Sequence, residues 1–169
     1  MKAGSIWGSQ TGFTLVEILM VLAVLGLLAF TGLPFLQQWK EGSDLRDAAT
    51  KIADIMLSAR MRAVVERRDY TVSVNYAADT CSVTPPVATG PLAGSVDLYL
   101  DDSDPDCPSL SSANIVFRPN STADAAGFEA VYIRSRMARV PARFRVKILG
   151  ATGKVGVEKW TGGAWLGAY

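Results

Sequence analysis

Histidine is absent from the 169-residue sequence. This absence excludes the Ser-His-Asp and Cys-His catalytic arrangements, and it excludes the metalloprotease motifs that are built on paired histidines. The chain also lacks the side chain that most often transfers protons near neutral pH. We therefore expect a non-enzymatic protein that needs no cofactor.

Cysteine is scarce, and the two cysteines, Cys81 and Cys107, both lie well after the N-terminal apolar run. If this part of the chain is exported from the cytoplasm, a disulfide between them is the natural expectation. Such a bond typically contributes about 2–4 kcal/mol of stability. The alternative is a pair of buried free thiols.

Neither sign of charge is in clear excess, because 17 basic residues accompany 16 acidic ones and the formal net charge is +1. Lys2 is the single charged residue before Phe13. A nearly neutral chain has no overall attraction for polyanions such as nucleic acids, so any basic surface must be local.

One segment, residues 13–36, is long and apolar and contains one charged residue, Glu17. A membrane-spanning helix needs about 20 predominantly apolar residues, and this segment meets that length. A carboxylate in such a segment costs about 2.5–3.5 kcal/mol on insertion scales, so we expect Glu17 to have a partner and a function. A plain membrane anchor would have no use for it.

The flanks of this segment argue against a removed signal peptide. The apolar run exceeds the usual 7–15 residues, and no Ala-x-Ala pattern follows it. A single-pass anchor is the simplest alternative. Lys2 precedes the run while Lys40 and Arg46 follow it, so the positive-inside rule gives no clear orientation.

Residues 12–17, Gly-Phe-Thr-Leu-Val-Glu, together with the apolar run, resemble the processing site of type IV pilins and pseudopilins. The resemblance implies that residues 1–12 are a leader peptide, which a prepilin peptidase removes by cutting between Gly12 and Phe13. It implies that Phe13 is then N-methylated and that Glu17 pairs with the N-terminal amine of a neighbouring subunit. The leader has one basic residue, fewer than many family members have.

The resemblance gives Glu17 a physical role. A carboxylate and an ammonium group in a low-dielectric helix bundle offset their desolvation only when both are present. A mispaired charge costs about 3–5 kcal/mol, so Glu17 would set the register of assembly.

Apolar residues continue at helical spacing through residues 37–68 and predict an amphipathic continuation of the helix. A single helix from Phe13 to about Arg68 would be roughly 80 Å long. Kinks are expected at Gly32 and Pro34, and at the Gly42-Ser43 pair. The predicted apolar stripe consists of Leu45, Ala48, Ala49, Ile52, Ile55, Met56, Ala59, Ala63 and Val64.

After Arg68 the hydrophobic period changes to two, which predicts β-strands. We expect an α+β fold, in which the long N-terminal helix packs on a mostly antiparallel β domain at residues 69–169. Residues 150–153 predict a hairpin turn, and loops are expected at 84–94, 101–113 and 119–127. The predicted strands are 70–76, 95–100, 114–118, 128–134, 143–148 and 154–160.

The second half resembles the GspH/FimT branch of the pseudopilins at residues 59–64, 115–119 and 146–155. This resemblance implies a structural subunit of a type II secretion pseudopilus or a type IV pilus. Its partners would be other subunits, the prepilin peptidase and the bacterial inner membrane, with the C-terminal domain in the periplasm. An unprocessed membrane-anchored domain is a more distant alternative.

A basic run follows in the same half, and some FimT-like pilins bind DNA during natural transformation. A DNA-binding minor pilin used in DNA uptake is therefore the alternative function. Alternation would place Arg143, Arg145 and Lys147 on one strand face, where cations about 6.6–6.8 Å apart could follow phosphates. We favour a solvated strand face whose acidic partners come from other subunits. The basic residues are Arg134, Arg136, Arg139, Arg143, Arg145 and Lys147.

Two further clusters have simpler interpretations. The acidic residues before Cys107 could bind calcium, but their spacing lacks the EF-hand glycine and glutamate, so we expect a solvated loop and no metal. Trp160, Trp165 and Tyr169 are expected to cap the sheet. The acidic residues in question are Asp97, Asp101, Asp102, Asp104 and Asp106.

Overall fold

The computed structural model describes residues 13–86, 92–101, 104, 107–110, 113–125, 127–137 and 141–167. The leader with Gly12, and also Asp102, Asp106, Arg139 and Tyr169, lie outside these residues. Its contacts divide the chain into an N-terminal unit, Met1–Gln37, and a C-terminal unit, Gln38–Tyr169.

One long helix, α1, contributes residues to both units and spans Leu15–Glu66. Thr14 caps its N-terminus, because the Thr14 hydroxyl accepts a hydrogen bond from the Glu17 backbone N–H at 3.3 Å. Arg67 follows the last turn with a left-handed φ of 53°, a conformation that commonly ends helices. The helix continues through Gly32 and Pro34 and through Gly42-Ser43. The kinks expected there stay predictions.

Among the described residues, eight β-strands follow the helix and form two antiparallel sheets. The three-stranded sheet has the order β2-β1-β4, and the five-stranded sheet has the order β3-β5-β6-β7-β8. The predicted α+β fold is confirmed. The strands are β1 Tyr70–Asn75, β2 Thr80–Thr84, β3 Val96–Tyr99, β4 Asn114–Phe117, β5 Phe128–Ser135, β6 Arg143–Leu149, β7 Lys154–Trp160 and β8 Trp165–Gly167.

The main core lies where the second half of α1 meets both sheets. Ile52 and Met56 of α1 are fully buried there, together with Val72 of β1 and Val146 of β6. The predicted apolar stripe is confirmed apart from Val64, which is 43% exposed, and Ala53 belongs to it as well. The stripe fits the helical period, so one face of α1 between Leu45 and Ala63 covers the sheets.

Two strands were not predicted, β2 and β8. The β1–β2 turn contains neither Gly nor Pro; instead the Asn75 side-chain oxygen accepts hydrogen bonds from the N–H groups of Ala77 and Ala78 at 3.0 Å. Asp79 then adopts a left-handed φ of 50°. Asn and Asp stabilise such turns through their side chains, a weaker sequence signal than Gly or Pro.

A smaller cluster lies on the other face of the five-stranded sheet, where Ala130 and Tyr132 of β5 pack against Cys107. The Tyr132 hydroxyl donates a hydrogen bond to the Cys107 carbonyl at 2.5 Å. Cys81, in contrast, belongs to the main core. The predicted disulfide is absent: Cys81 and Cys107 are both buried free thiols, because they belong to different clusters.

Candidate functional site

The first half of α1 presents apolar side chains outward over its described length. Leu15 is 75% exposed and Phe30 is 78% exposed. By length and composition the helix could cross a membrane, with a mean hydropathy of 2.4 over its most apolar stretch, none of which is buried. Such a surface is expected to be covered by lipid or by other protein.

Glu17 lies in the first turn of this helix and is exposed. Within the described part of the chain, no Lys or Arg nitrogen lies within 4 Å of its carboxylate. Its position near the positive end of the helix dipole is favourable for a negative charge. A cationic partner of Glu17 would therefore come from outside the described residues.

The cations of the basic run mostly contact acidic residues of the same chain. Arg134 donates a hydrogen bond through Nε to Asp97 at 2.6 Å and lies 4.7 Å from the centre of the Tyr99 ring. Arg136 forms an ion pair with Asp79. The first pair joins β5 to the adjoining edge strand β3, and the second joins the residue after β5 to the turn between β1 and β2.

Arg145 is the most buried of these cations and organises a network on the outer sheet face. Its guanidinium donates to Asp104 at 2.5 Å and to Glu158 at 2.6 Å, and it lies 4.5 Å from the centre of a Trp165 ring. Burial alone would lower the pKa of Arg145, but hydrogen bonds to Asp104, Glu158 and Tyr132 outweigh it and raise that pKa.

Lys147 completes the network, 3.9 Å from Glu158 and 4.1 Å from the centre of the Phe128 ring. Alternation along β6 does place Arg143, Arg145 and Lys147 on one face. The expectation that other subunits supply the acidic partners is corrected, because Asp79, Asp97, Asp104 and Glu158 belong to this chain. Long-range strand register brings these partners together, so no local pattern reveals them.

The acidic residues before Cys107 are partly accounted for. Asp104 binds Arg145, and the Asp101 backbone N–H donates to the Ser109 hydroxyl at 2.6 Å. Among the described residues, no group of three potential ligands is placed to hold a metal ion. The weak calcium candidate, Asp101, Asp102, Asp104 and Asp106, includes two residues, Asp102 and Asp106, that lie outside the described part of the chain.

The C-terminal tryptophans pack onto the outer sheet face. Trp165 lies 5.2 Å from Trp160 and 5.7 Å from Tyr132 between ring centres. Together with its stacking on Arg145, this position makes Trp165 a cap over the network.

Three comparisons place these features. The prokaryotic N-terminal methylation motif matches residues 7–33. The fold is similar to that of the type IV minor pilin FimU of Pseudomonas aeruginosa strain PAO1. In space group P21 the TM-score is 0.53 at 16% identity, over 71% of this chain and 92% of that chain. This chain therefore carries an N-terminal methylation motif and has a fold similar to that of a type IV minor pilin.

A second FimU crystal form, in space group P65, aligns at a TM-score of 0.49 and 15% identity, over 68% of this chain and 92% of FimU. No curated protein matches the sequence. The methylation motif thus lies in the N-terminal segment, while the likeness of fold to FimU extends over most of the chain.

Proposed function

We propose that this chain is a non-enzymatic structural subunit of a type IV pilus-like filament, of the GspH/FimT minor pilin or pseudopilin type. The leader is cut between Gly12 and Phe13, and Phe13 is N-methylated. Before assembly the subunit is anchored in the inner membrane, with its C-terminal unit in the periplasm. Other pilin subunits then cover the apolar half of α1 when the filament assembles.

The observation that supports this proposal best is the contrast between the apolar surface of α1 and the single carboxylate in its first turn. Val16 is 73% exposed and Met20 is 72% exposed, on either side of Glu17. The hydrocarbon chains of lipid can cover such apolar side chains, but they offer Glu17 no cation. The methylated N-terminal amine of Phe13 in a neighbouring subunit would provide this cation. Removing one partner from such a buried pair costs about 3–5 kcal/mol.

The test is incorporation of the Glu17→Gln variant into filaments of a host that processes prepilins. Gln has nearly the shape of Glu but no charge, so we expect normal cleavage and membrane insertion with at least tenfold less subunit in sheared filaments. Thr14→Ser, which keeps the capping hydroxyl, serves as the control and should assemble normally. Equal incorporation of Glu17→Gln and the unmodified chain would contradict the proposed role.

The alternative of a DNA-uptake subunit receives less support from the C-terminal unit. Four of the five described cations of the basic run, Arg134, Arg136, Arg145 and Lys147, already pair with carboxylates of this chain. A phosphate backbone would have to compete with these internal partners. DNA binding therefore stays a prediction, and it enters the experiment below as an outcome.

A further inference from the structure

The two ends of the C-terminal unit differ in the hydrogen bonds that connect α1 to the rest of the unit and in the surface next to those bonds. At one end, the Ser135 hydroxyl donates to buried Glu41 at 3.1 Å and the Ser95 hydroxyl donates to Asp44 at 2.8 Å. At the other, Arg60 donates to the Ser121 hydroxyl at 2.8 Å. We name these the Glu41 end and the Arg60 end.

Two adjoining grooves open at the Glu41 end. One, of about 850 Å³, is lined by basic residues from three strands and their connections, and we name it the Arg143 groove. The other, of about 480 Å³, lies between the start of the unit's helix and β7, and we name it the Trp39 groove. Ala142 and Lys159 line both. The basic and aromatic side chains that line these grooves include Trp39, Arg46, Arg143, Lys159 and Trp160.

The charge of these grooves is positive after internal pairing. Asp97 faces the Arg143 groove but is held by Arg134. Arg143 and Lys159 are both exposed, and neither makes an ion pair within 4 Å to another described residue. In the strand register Lys159 lies directly opposite Phe144, so the two side chains share one sheet face. Because successive residues of a strand point to opposite faces, Arg143 points to the other face.

The short distance along the chain between the apolar run and these grooves favours lipid headgroups as the anions that the cations bind. Trp39 and Lys40 follow Leu36, the last residue of the apolar run, by three and four residues, a helical rise of about 6 Å. The headgroup layer on each side of a bilayer core is about 5–7 Å thick. Trp and Lys are typical of this layer, because Trp is amphipathic and Lys extends its charge to the headgroups.

We propose that the Arg143 and Trp39 grooves bind the headgroups of anionic phospholipids, which hold the C-terminal unit against the bilayer before assembly. Arg143 and Lys159 contact the phosphates, while Trp39 and Trp160 contact the glycerol and upper acyl region. The proposal rests on membrane insertion of the unassembled subunit, as proposed above. Extraction into a filament would then have to break these contacts.

The experiment uses the full chain in a neutral detergent and titrates dihexanoylphosphatidylglycerol, with dihexanoylphosphatidylcholine as the uncharged comparison. We expect at least tenfold tighter binding of the anionic lipid. A basic residue near an anionic surface contributes about fivefold in affinity. The double variant Arg143→Gln/Lys159→Gln should therefore bind it about 25-fold more weakly.

The matched control is Arg118→Gln/Lys154→Gln, which removes the same charge at the Arg60 end and should change binding less than twofold. Equal binding of the two lipids by the unmodified chain, or equal losses in both double variants, would overturn the proposal. So would tight binding of a DNA duplex that depends on Arg143 and Lys159 while the anionic lipid binds no better than the neutral one.

A separate measurement keeps the two proposals distinguishable. Flotation of the full chain with liposomes after a carbonate wash reports insertion alone. Loss of the protein from the liposomes would contradict the membrane-anchored function and the lipid site together. Retention without any preference for phosphatidylglycerol would overturn the lipid site alone.

Discussion

The two halves of α1 use the same helical geometry but meet their partners in different ways. Between Leu45 and Ala63 the apolar side chains are buried by the sheets of the same chain. In the first half, Leu25 is still 55% exposed and Phe35 is 71% exposed. The second half is thus stabilised by intramolecular packing, whereas the first half leaves its apolar side chains exposed, as the proposed membrane and filament contacts require.

Charged groups follow the same division. In the C-terminal unit, buried Arg145 has carboxylate partners on both sides, and buried Glu41 accepts a hydrogen bond from Ser135. Glu17 in the N-terminal unit has no cationic partner among the described residues. The charged groups of the C-terminal unit are thus satisfied within the chain, while the proposed function assigns the partner of Glu17 to a neighbouring subunit.

The largest effect on this comparison should come from Arg145→Ala. The substitution leaves Asp104 and Glu158 without their shared cation, so the free energy of unfolding should fall by about 3–5 kcal/mol. Urea unfolding of the full chain in detergent measures it. Glu17→Ala and exposed Arg143→Ala should each stay within about 0.5 kcal/mol of the unmodified chain. A comparable loss in Glu17→Ala would break the comparison.

Core packing gives the next effect. Ile52 is fully buried, so Ile52→Ala should lower the free energy of unfolding by about 2–5 kcal/mol. Leu25→Ala, in the exposed half of the same helix, should leave that free energy unchanged. The same urea titration checks both, and similar losses at the two positions would show that the first half packs on its own chain.

The buried thiols predict a loss of stability at alkaline pH. Burial raises the pKa of Cys81 to about 11 from an ordinary value of 9.0. Because the folded state disfavours the thiolate, the raised pKa of Cys81 corresponds to a contribution of about 2–3 kcal/mol to the free energy of unfolding. This contribution is fully present below pH 9 and is lost as the pH rises through 11. Burial also raises the pKa of Tyr132, to about 12, which adds to the loss at still higher pH.

Unfolding free energies at pH 8 and pH 10.5 measure this effect, and Cys81→Ala should have a flatter pH profile than the unmodified chain. Both cysteines should resist iodoacetamide in the folded protein and react after denaturation without a reductant. Failure of the denatured protein to react would demonstrate a disulfide and contradict the free thiols.

A smaller loss of stability is expected from a substitution at the Arg60 end, and it tests how closely the backbone packs there. Gly153 has a left-handed φ of 60°, and a Cβ there would lie 2.4 Å from the Ser121 carbonyl oxygen. Gly153→Ala should therefore cost about 1–2 kcal/mol from the left-handed backbone, with the close contact adding to it. Gly156→Ala, where a Cβ meets nothing within 4 Å, is the control for thermal unfolding.

Periodicity revealed those parts of the fold that local spacing encodes. The stripe from Leu45 to Ala63 and the six predicted strands were found because burial alternates with helical or strand period. The turn before β2 depends on side-chain hydrogen bonds of Asn75, and β8 has three residues, so both lacked a strong local signal. The absent disulfide reflects which sheet face each cysteine lies under, which spacing along the chain does not encode.

The candidate sites divide along the same line. Glu17 is recognisable from sequence because one charge in an apolar run is conspicuous. The partners of Arg145 come from a loop 41 residues before it and from the next strand, so the network required the strand register. The contribution of Lys159 to both grooves has the same origin, whereas the position of Trp39 and Lys40 directly after the apolar run can be seen in the sequence.

The central claim is that the N-terminal segment is made to be processed and then covered by other molecules. Intact-mass and N-terminal peptide mass spectrometry of the membrane-bound protein, from cells with and without a prepilin peptidase, tests it most directly. We predict a mature chain that begins at N-methylated Phe13 with the peptidase and at the unprocessed leader without it. A chain that keeps residues 1–12 in both, or one that begins after Leu36, would contradict the account.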